Sequence, residues 1–239
     1  MPIAPPLPLA IAQLAPTGSL AAGLKAVRSV AAKHPGPGLL LLPEGAVNGY
    51  FAADPAAARA SAIPVQALEL LAAELPGERA VVLGFTELRD GALFNSAAVL
   101  YGGRVLGVCS KVDGRERGFE SGTAGPLFQA GGLSFGVLIC RDARSASAAA
   151  RLAKMGAQVL LFPLNNALPL DIADRWRFRH LAIARSRAQE TGCWVLTADV
   201  VCQAPSLRGY GCSVLVDPSG TLRAQVPEGR VGSVELTPP

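Results

Sequence analysis

An α/β fold with mixed sheets is predicted from three observations. Apolar runs of strand length recur along the 239 residues, and four longer segments between them carry apolar residues at three- and four-residue spacing. Several runs are joined by turns of only two or three residues. The continuous apolar runs need cover on both faces, which helices supply. The tight turns join antiparallel neighbours, so the sheets are not wholly parallel.

The runs, in order, are LPLAIAQL, GLLLLP, AVVLGFTEL, SAAVLY, FGVLIC, QVLLFP, CWVLTAD, CSVLVD and GSVEL. Helices are predicted over 19–34, 57–75 with Pro64 interrupting, 145–155 and 174–191. Asp90-Gly91 links 86–89 to 92–100, Gly102-Gly103 leads on to 105–109, and Pro218-Ser219-Gly220 closes a late hairpin. HPGPG at 34–38 is a loop between a helix and a strand. No low-complexity linker and no repeat of fixed period interrupts the chain, so residues 1–239 are expected to form a single domain.

Composition narrows the function classes. Half of the residues are apolar, enough for one large core, and the net charge is +4 on 22 basic and 18 acidic side chains. Only Lys25, Lys33, Lys111 and Lys154 are lysines, and the arginines are scattered, so a nucleic-acid partner is not expected. The opening MPIAPPLPLAIAQLAP has no basic leader and is broken by prolines, and no apolar run approaches the roughly 18 residues a membrane span needs. A soluble, cytoplasmic protein without a membrane partner is expected. Cys109, Cys140, Cys193, Cys202 and Cys212 are odd in number and lack CxxC spacing, against a disulfide framework or a zinc ribbon. His34 and His180 are the only histidines, against a multi-histidine metal site or a Ser-His-Asp triad.

Three strand ends carry residues suited to chemistry. In GLLLLPEGAVNGYF, Glu44 follows four leucines and Pro43, at the carboxyl end where ligand-contacting groups of α/β sheets sit; it equally suits a loop carboxylate bonded to a neighbouring backbone N–H. In LGVCSKVDGRERGFESGT, Lys111 follows a strand directly and Glu116 lies in a charged loop, although lysines at strand ends are commonly just solvated. In VLICRDAR, Cys140 ends a strand ahead of a helix predicted to start at Ser145. A thiol at the amino end of a helix has a lowered pKa and is a better nucleophile; the alternative is a small buried hydrophobe. Asp142 and Arg144 either pair with each other as a helix-start salt bridge or tie the cysteine turn to neighbouring loops.

A Glu after strand-Pro, a Lys after a later strand and a Cys after a third resemble, in that order, the nitrilase superfamily of carbon–nitrogen hydrolases, and the resemblance covers almost the whole chain. PEGAVNGY at 43–50 is similar to the family's Pro-Glu…Tyr segment, and 84–111 to its hairpin centred on Asn95-Ser96-Ala97. Cys140, Asp142 and Arg144 match Cys-x-Asp-x-Arg, Gly156-Ala157 the later Gly-Ala, and Arg187, Ala188 and Glu190 the Arg-Ala-x-Glu helix. The chain departs from the family at Arg141, at Val112-Asp113-Gly114, at Ser145-Ala146-Ser147, at His180 where a helix Trp is usual, and at Asp199 where Asn is frequent.

The resemblance implies a four-layer α-β-β-α sandwich with two mixed sheets. It implies an amidase-like enzyme, cleaving a non-peptide C–N bond of a small linear amide or N-carbamoyl compound through a Cys thioester, with no cofactor. Glu44 is expected as general base and acid, Cys140 as nucleophile, Lys111 with the Arg141 backbone N–H as oxyanion stabiliser, and Glu116 as a second glutamate positioning the lysine. Tyr50, Arg141 and Asn165 are expected at the substrate. The alternatives are nitrile hydrolysis on the same scaffold, which usually carries Cys-x-Glu, and an inactive ligand-binding member. A homodimer or higher homo-oligomer is implied as well.

Overall fold

A computed structural model describes residues 7–239. Residues 1–6, the start of the stretch expected to lack a basic leader, lie outside the described residues. The strands are β1 (Leu9–Gln13), β2 (Gly38–Leu41), β3 (Arg79–Arg89), β4 (Ala92–Tyr101), β5 (Arg104–Ser110), β6 (Leu127–Ala130), β7 (Leu133–Val137), β8 (Val159–Pro163), β9 (Leu168–Pro169), β10 (Trp194–Ala198), β11 (Val201–Gln203), β12 (Leu207–Tyr210), β13 (Val214–Val216), β14 (Leu222–Gln225) and β15 (Gly232–Leu236). The α-helices are α1 (Leu20–Ala31), α2 (Pro55–Ser61), α3 (Glu69–Glu74), α4 (Ala146–Lys154), α5 (Leu170–Trp176) and α6 (Arg179–Thr191).

Two six-stranded mixed sheets form, in the orders β15-β1-β2-β3-β4-β5 and β14-β13-β10-β8-β7-β6. Strand alternation divides each buried run between two faces. Leu9, Ile11, Leu39, Leu41, Val82 and Val99 of the first sheet meet Phe135, Val159, Leu161 and Leu196 of the second in a shared core. The intervening residues Ala10, Leu40, Val81 and Leu83 face outward onto Val27, Val30, Leu68 and Leu71 of the helical layer. On the far side, Leu160, Phe162 and Val195 pack on Ala149, Leu152, Ala184 and Ala188. The result is helix, sheet, sheet, helix, as the resemblance implied. It also accounts for strands that are apolar throughout: none of them has a face in water.

The predicted hairpins form at Asp90-Gly91 and Gly102-Gly103, where all four residues take positive φ. Two helical predictions need correction. The segment 57–75 is not one helix: Asp54 caps α2 ahead of Pro55, and Pro64 forces extended backbone before a 3₁₀ turn, Val65–Leu68, leads into α3. The segment 174–191 is broken at Arg177-Phe178 into α5 and α6, and α5 begins four residues before the predicted start. The small sheet β11-β12-β9 and strand β6 went unpredicted because their strands span only two to four residues.

β2, β5, β7 and β8 are the strands that matter for the site, because Glu44, Lys111, Cys140 and Asn165 each lie within three residues after one of them. Glu44 N–H donates to Leu164 C=O at 3.1 Å, tying the end of one sheet to the end of the other. The turn after β2 is held against β3 by Gly84, which donates to Pro43 C=O and accepts from Val47 N–H, both at 3.1 Å. A Cβ at Gly84 would stand 2.5 Å from the Glu44 Cα. Gly84→Ala is therefore expected to cost about 1–3 kcal/mol through overpacking, seen as a Tm lower by roughly 2–12 °C. An unchanged Tm would show that the Glu44 turn yields freely.

Candidate active site

Lys111 leaves β5 with its backbone N–H bonded to Asn95 C=O at 2.8 Å, which fixes its direction relative to β4. Its ammonium lies 2.9 Å from Glu44 Oε1 and 2.6 Å from Glu116 Oε1. Asn95 Nδ2 donates to the same two oxygens, at 2.6 and 2.9 Å. Tyr50 Oη donates to Glu116 Oε1 at 2.7 Å. Glu44, Asn95, Lys111 and Glu116 are all buried, so these bonds form where charges are weakly screened and strongly coupled.

This pattern sorts the four carboxylate oxygens. Glu116 Oε1 takes three donors, and Glu116 Oε2 accepts the Arg115 N–H at 2.8 Å. Glu44 Oε1 takes two donors, while Glu44 Oε2 is buried with no partner. That oxygen is the one free to accept a proton. Burial raises the Glu44 pKa and the Glu116 charge adds to it, against the pull of Lys111. Burial also acts to raise Glu116, but the Lys111 ammonium and the bonds from Lys111 and Tyr50 outweigh it and bring the carboxyl down to about 2. For Lys111, burial favours the neutral amine, yet Glu44, Cys140 and Glu116 hold the ammonium and raise its pKa. Like carboxyls flanking one cation are thereby driven apart, one ionised and one poised to take a proton.

Cys140 is half-buried and has φ of 46°, an uncommon conformation for a residue with a side chain. The thiol does not stand at the start of the following helix. Cys140–Arg144 forms its own 3₁₀ turn, and Ser145 caps α4 beyond it. The expected lowering of the thiol pKa is likewise not found: burial and the Glu44 charge push it up, against Lys111 and the Asn165 backbone N–H. A thiol here needs a base to lose its proton.

Asp142 resolves its two alternatives in favour of the loop. Its carboxylate accepts the backbone N–H of Val112 at 3.0 Å and of Asp113 at 2.7 Å, locking the residues after Lys111 to the cysteine turn. Arg144 makes no salt bridge with it and instead lies 5.3 Å from the Trp176 ring. Cys140, Tyr50, Arg141 and Asn165 line one cavity of about 580 Å³, a size suited to a small molecule. Glu44 and Lys111 are buried and do not line this cavity, and Glu44 borders a recess of about 140 Å³ that shares Tyr50, Asn165, Ala167 and Leu207 with it. Asn165 Nδ2 donates to Glu44 C=O at 3.3 Å. Arg141 reaches the cavity, but its Nε donates to Asp113 Oδ2 at 2.7 Å, so its charge is already met. The sequence marks Asn95 only as part of a motif, and no spacing in it shows the donor shared by both glutamates. Among the described residues, no cluster of three or more His, Cys, Asp or Glu could hold a metal ion.

Asp199, fully buried beyond β10, accepts Asn166 N–H and Val200 N–H on Oδ1 and Asn166 Nδ2 on Oδ2. Burial raises its pKa from 3.8 to about 6. A carboxyl whose folded pKa is raised favours folding below its unfolded pKa, and that contribution is lost as pH rises through the folded value. Asp199→Asn keeps an acceptor for both backbone groups and removes the buried charge. It is expected to be more stable than wild type at pH 8, by roughly 1–3 kcal/mol, with the gain gone below pH 3.8. Thermal unfolding across that range checks this, and a loss of stability at pH 8 would contradict the direction.

The model of the carbon–nitrogen hydrolase family matches residues 8–237. The chain is 28% identical over 92% of its length to a glutamine-dependent NAD(+) synthetase of Rhodobacter capsulatus, of which it spans 41%. It is 29% identical over 84% of its length to the "hydrolase in pqqF 5'region" of Pseudomonas protegens, covering 72% of that protein. Among solved structures, Nit3 of Saccharomyces cerevisiae superposes with a TM-score of 0.82 at 22% identity, over 98% of this chain and 90% of that one. An amidase from Nesterenkonia sp. gives 0.79 at 22% identity, over 97% and 89%. Within the described residues, no helix is long and apolar enough to cross a membrane. The solved structures share the two-sheet sandwich, and with the family model spanning all but its ends the chain belongs to the carbon–nitrogen hydrolase family.

Proposed function

We propose that the protein hydrolyses the C–N bond of a small linear amide or N-carbamoyl compound, with Glu44, Lys111 and Cys140 as the reacting groups and Glu116 holding the lysine. The observation that carries this reading is the unpartnered Glu44 Oε2, a buried acceptor in a site where every other carboxylate oxygen is occupied.

In this reading Oε2 takes the Cys140 proton as the sulfur attacks the carbonyl carbon. The tetrahedral oxyanion is met by the Lys111 ammonium and the Arg141 backbone N–H, donors of the kind whose individual loss costs about 10²–10³ in rate. Collapse breaks the C–N bond as Glu44 returns the proton to the departing nitrogen, leaving a thioester on Cys140. Glu44 then deprotonates a water, which attacks the thioester and releases the acid, and the sulfur recovers its proton. The raised thiol pKa suits this cycle, since the sulfur nucleophile and the protonated Glu44 that later serves the departing nitrogen are made in one step rather than a thiolate being stored. Amide cleavage is favoured over nitrile cleavage by the Cys-x-Asp pattern at Cys140 and Asp142. Relatives named as a nitrilase of Pyrococcus abyssi and a deaminated glutathione amidase of Mus musculus lend support to a small C–N substrate. A homo-oligomeric state is part of the proposal, on family analogy.

Ammonia release should vanish in Cys140→Ala and fall by about 10²–10⁴ in Glu44→Gln, the worth of a general base. Iodoacetamide, itself a small amide, separates this from an inert binder by reading the thiol alone. Cys140 should be alkylated faster than the half-buried Cys202, and Glu44→Gln should remove the difference. Equal rates at the two cysteines in wild type would point to a binder without chemistry.

A further inference from the structure

Asp199 takes no part in the chemistry proposed above, yet the loop that follows β8 is tied to it. Leu164 N–H donates to Ala198 C=O at 2.7 Å, and two residues along, the Asp199 carboxylate accepts the Asn166 N–H at 3.0 Å and Asn166 Nδ2 at 2.7 Å. Between these anchors stands Asn165. Its backbone N–H acts on the Cys140 sulfur and favours the anion, and its Nδ2 donates to Glu44 C=O at 3.3 Å. Residues 165–168 also line the 580 Å³ cavity. A shift of Asn166 therefore moves a contact of the nucleophile and a contact of the base together.

Asp199 is fully buried, and the groups that hold it are N–H donors: Asn166 and Val200 on Oδ1, Asn166 Nδ2 on Oδ2, and the Cys212 backbone. None of them is a cation. Around the small void beside it, Arg177 pairs with Glu228, Tyr210 donates to Asp174, and His180 is held uncharged because burial and then the Arg144 charge lower its pKa to about 4. A carboxylate buried without a cation is expensive to desolvate. What this one does is tie the loop, since two of its donors belong to Asn166.

We infer that Asp199 is a positioning residue of the hydrolysis: by holding Asn166 it keeps the Asn165 N–H on Cys140 while the sulfur loses its proton to Glu44. This rests on the hydrolytic reading above and adds a residue that touches neither substrate nor sulfur. The Asp199 charge itself works against the thiolate. Removing the charge alone therefore speeds the sulfur, whereas removing the tie slows it, and the two effects carry opposite signs.

The test follows iodoacetamide alkylation of Cys140 peptide by peptide, with Cys202 as internal reference, beside kcat for ammonia release from a short aliphatic amide. Asp199→Ala should slow Cys140 alkylation by about 10-fold or more, the worth of a hydrogen bond to a charged group, and lower kcat by a similar factor. Asn166→Ala, which loses only the Nδ2 tie, should lower both by less. Asp199→Asn should restore both, because its Oδ1 accepts the two backbone N–H groups and the Asn166 amide can turn to face its Nδ2; without the opposing charge, Cys140 should react at least as fast as in wild type. A purely structural part moves alkylation the other way, since opening of the fold exposes the buried Cys193 and speeds both thiols. If Asp199→Ala opens in this manner, Asn166→Ala decides: Cys140 alkylation and kcat unchanged in it overturn the proposal. Asp199→Asn as slow as Asp199→Ala, or Asp199→Ala as fast as wild type with Cys193 still protected, overturns it too and leaves hydrolysis standing. Slowed alkylation in Asp199→Ala with recovery in Asp199→Asn, but no ammonia released by wild type, supports the positioning of the sulfur and overturns hydrolysis.

Discussion

The Lys111 ammonium lies within hydrogen-bond reach of a carboxylate oxygen from each of two glutamates that are 67 and 5 residues away in the chain. Buried ions of this kind are costly to desolvate, and breaking such a cluster by removing one member typically costs about 3–5 kcal/mol. The rest of the site follows from satisfying it. Asn95 repeats the bridge with a neutral donor, Tyr50 closes the third position on Glu116, and the Asp142 carboxylate pins the residues that follow the lysine. Because the lysine and Asn95 both engage Glu44 Oε1, the second oxygen of Glu44 is left without a donor. The ion cluster thus sets the orientation of the Glu44 carboxyl as well as its proton affinity.

The sheets exist, from the standpoint of this cluster, to bring loop ends together. β2 and β5 lie at different positions of one sheet, β7 and β8 in the other, and face-to-face packing sets their carboxyl ends around one volume. Gly84 and the Glu44 N–H to Leu164 C=O bond lie at that junction and tie one strand end to the opposite sheet.

Much of the fold was legible in the sequence, since runs such as GLLLLP and QVLLFP are apolar throughout and bounded by turn residues, as strands buried on both faces require. Glu44, Lys111 and Cys140 were readable as strand-end residues in a known order. What stayed hidden were relations set by tertiary contact. Asn95 sits inside a strand whose alternation marks only its face, and nothing local shows that its amide reaches two glutamates. The sequence places Cys140 next to a helix start, whereas the chain spends five residues on a separate turn and sets the half-buried cysteine where burial and the Glu44 charge raise its pKa. His180 stands out in the sequence only as a departure; its burial on the cavity wall is set by tertiary packing.

The central claim is that the sulfur of Cys140, deprotonated by Glu44, carries the acyl group between two half-reactions. Intact-mass and peptide mass spectrometry of protein acid-quenched during turnover of a slow short-chain amide addresses it directly. The account predicts a mass increase equal to the acyl group on the peptide containing Cys140, lost on treatment with hydroxylamine. Ammonia release under the same conditions with no adduct on that peptide, or with the acyl group on another residue, would contradict it.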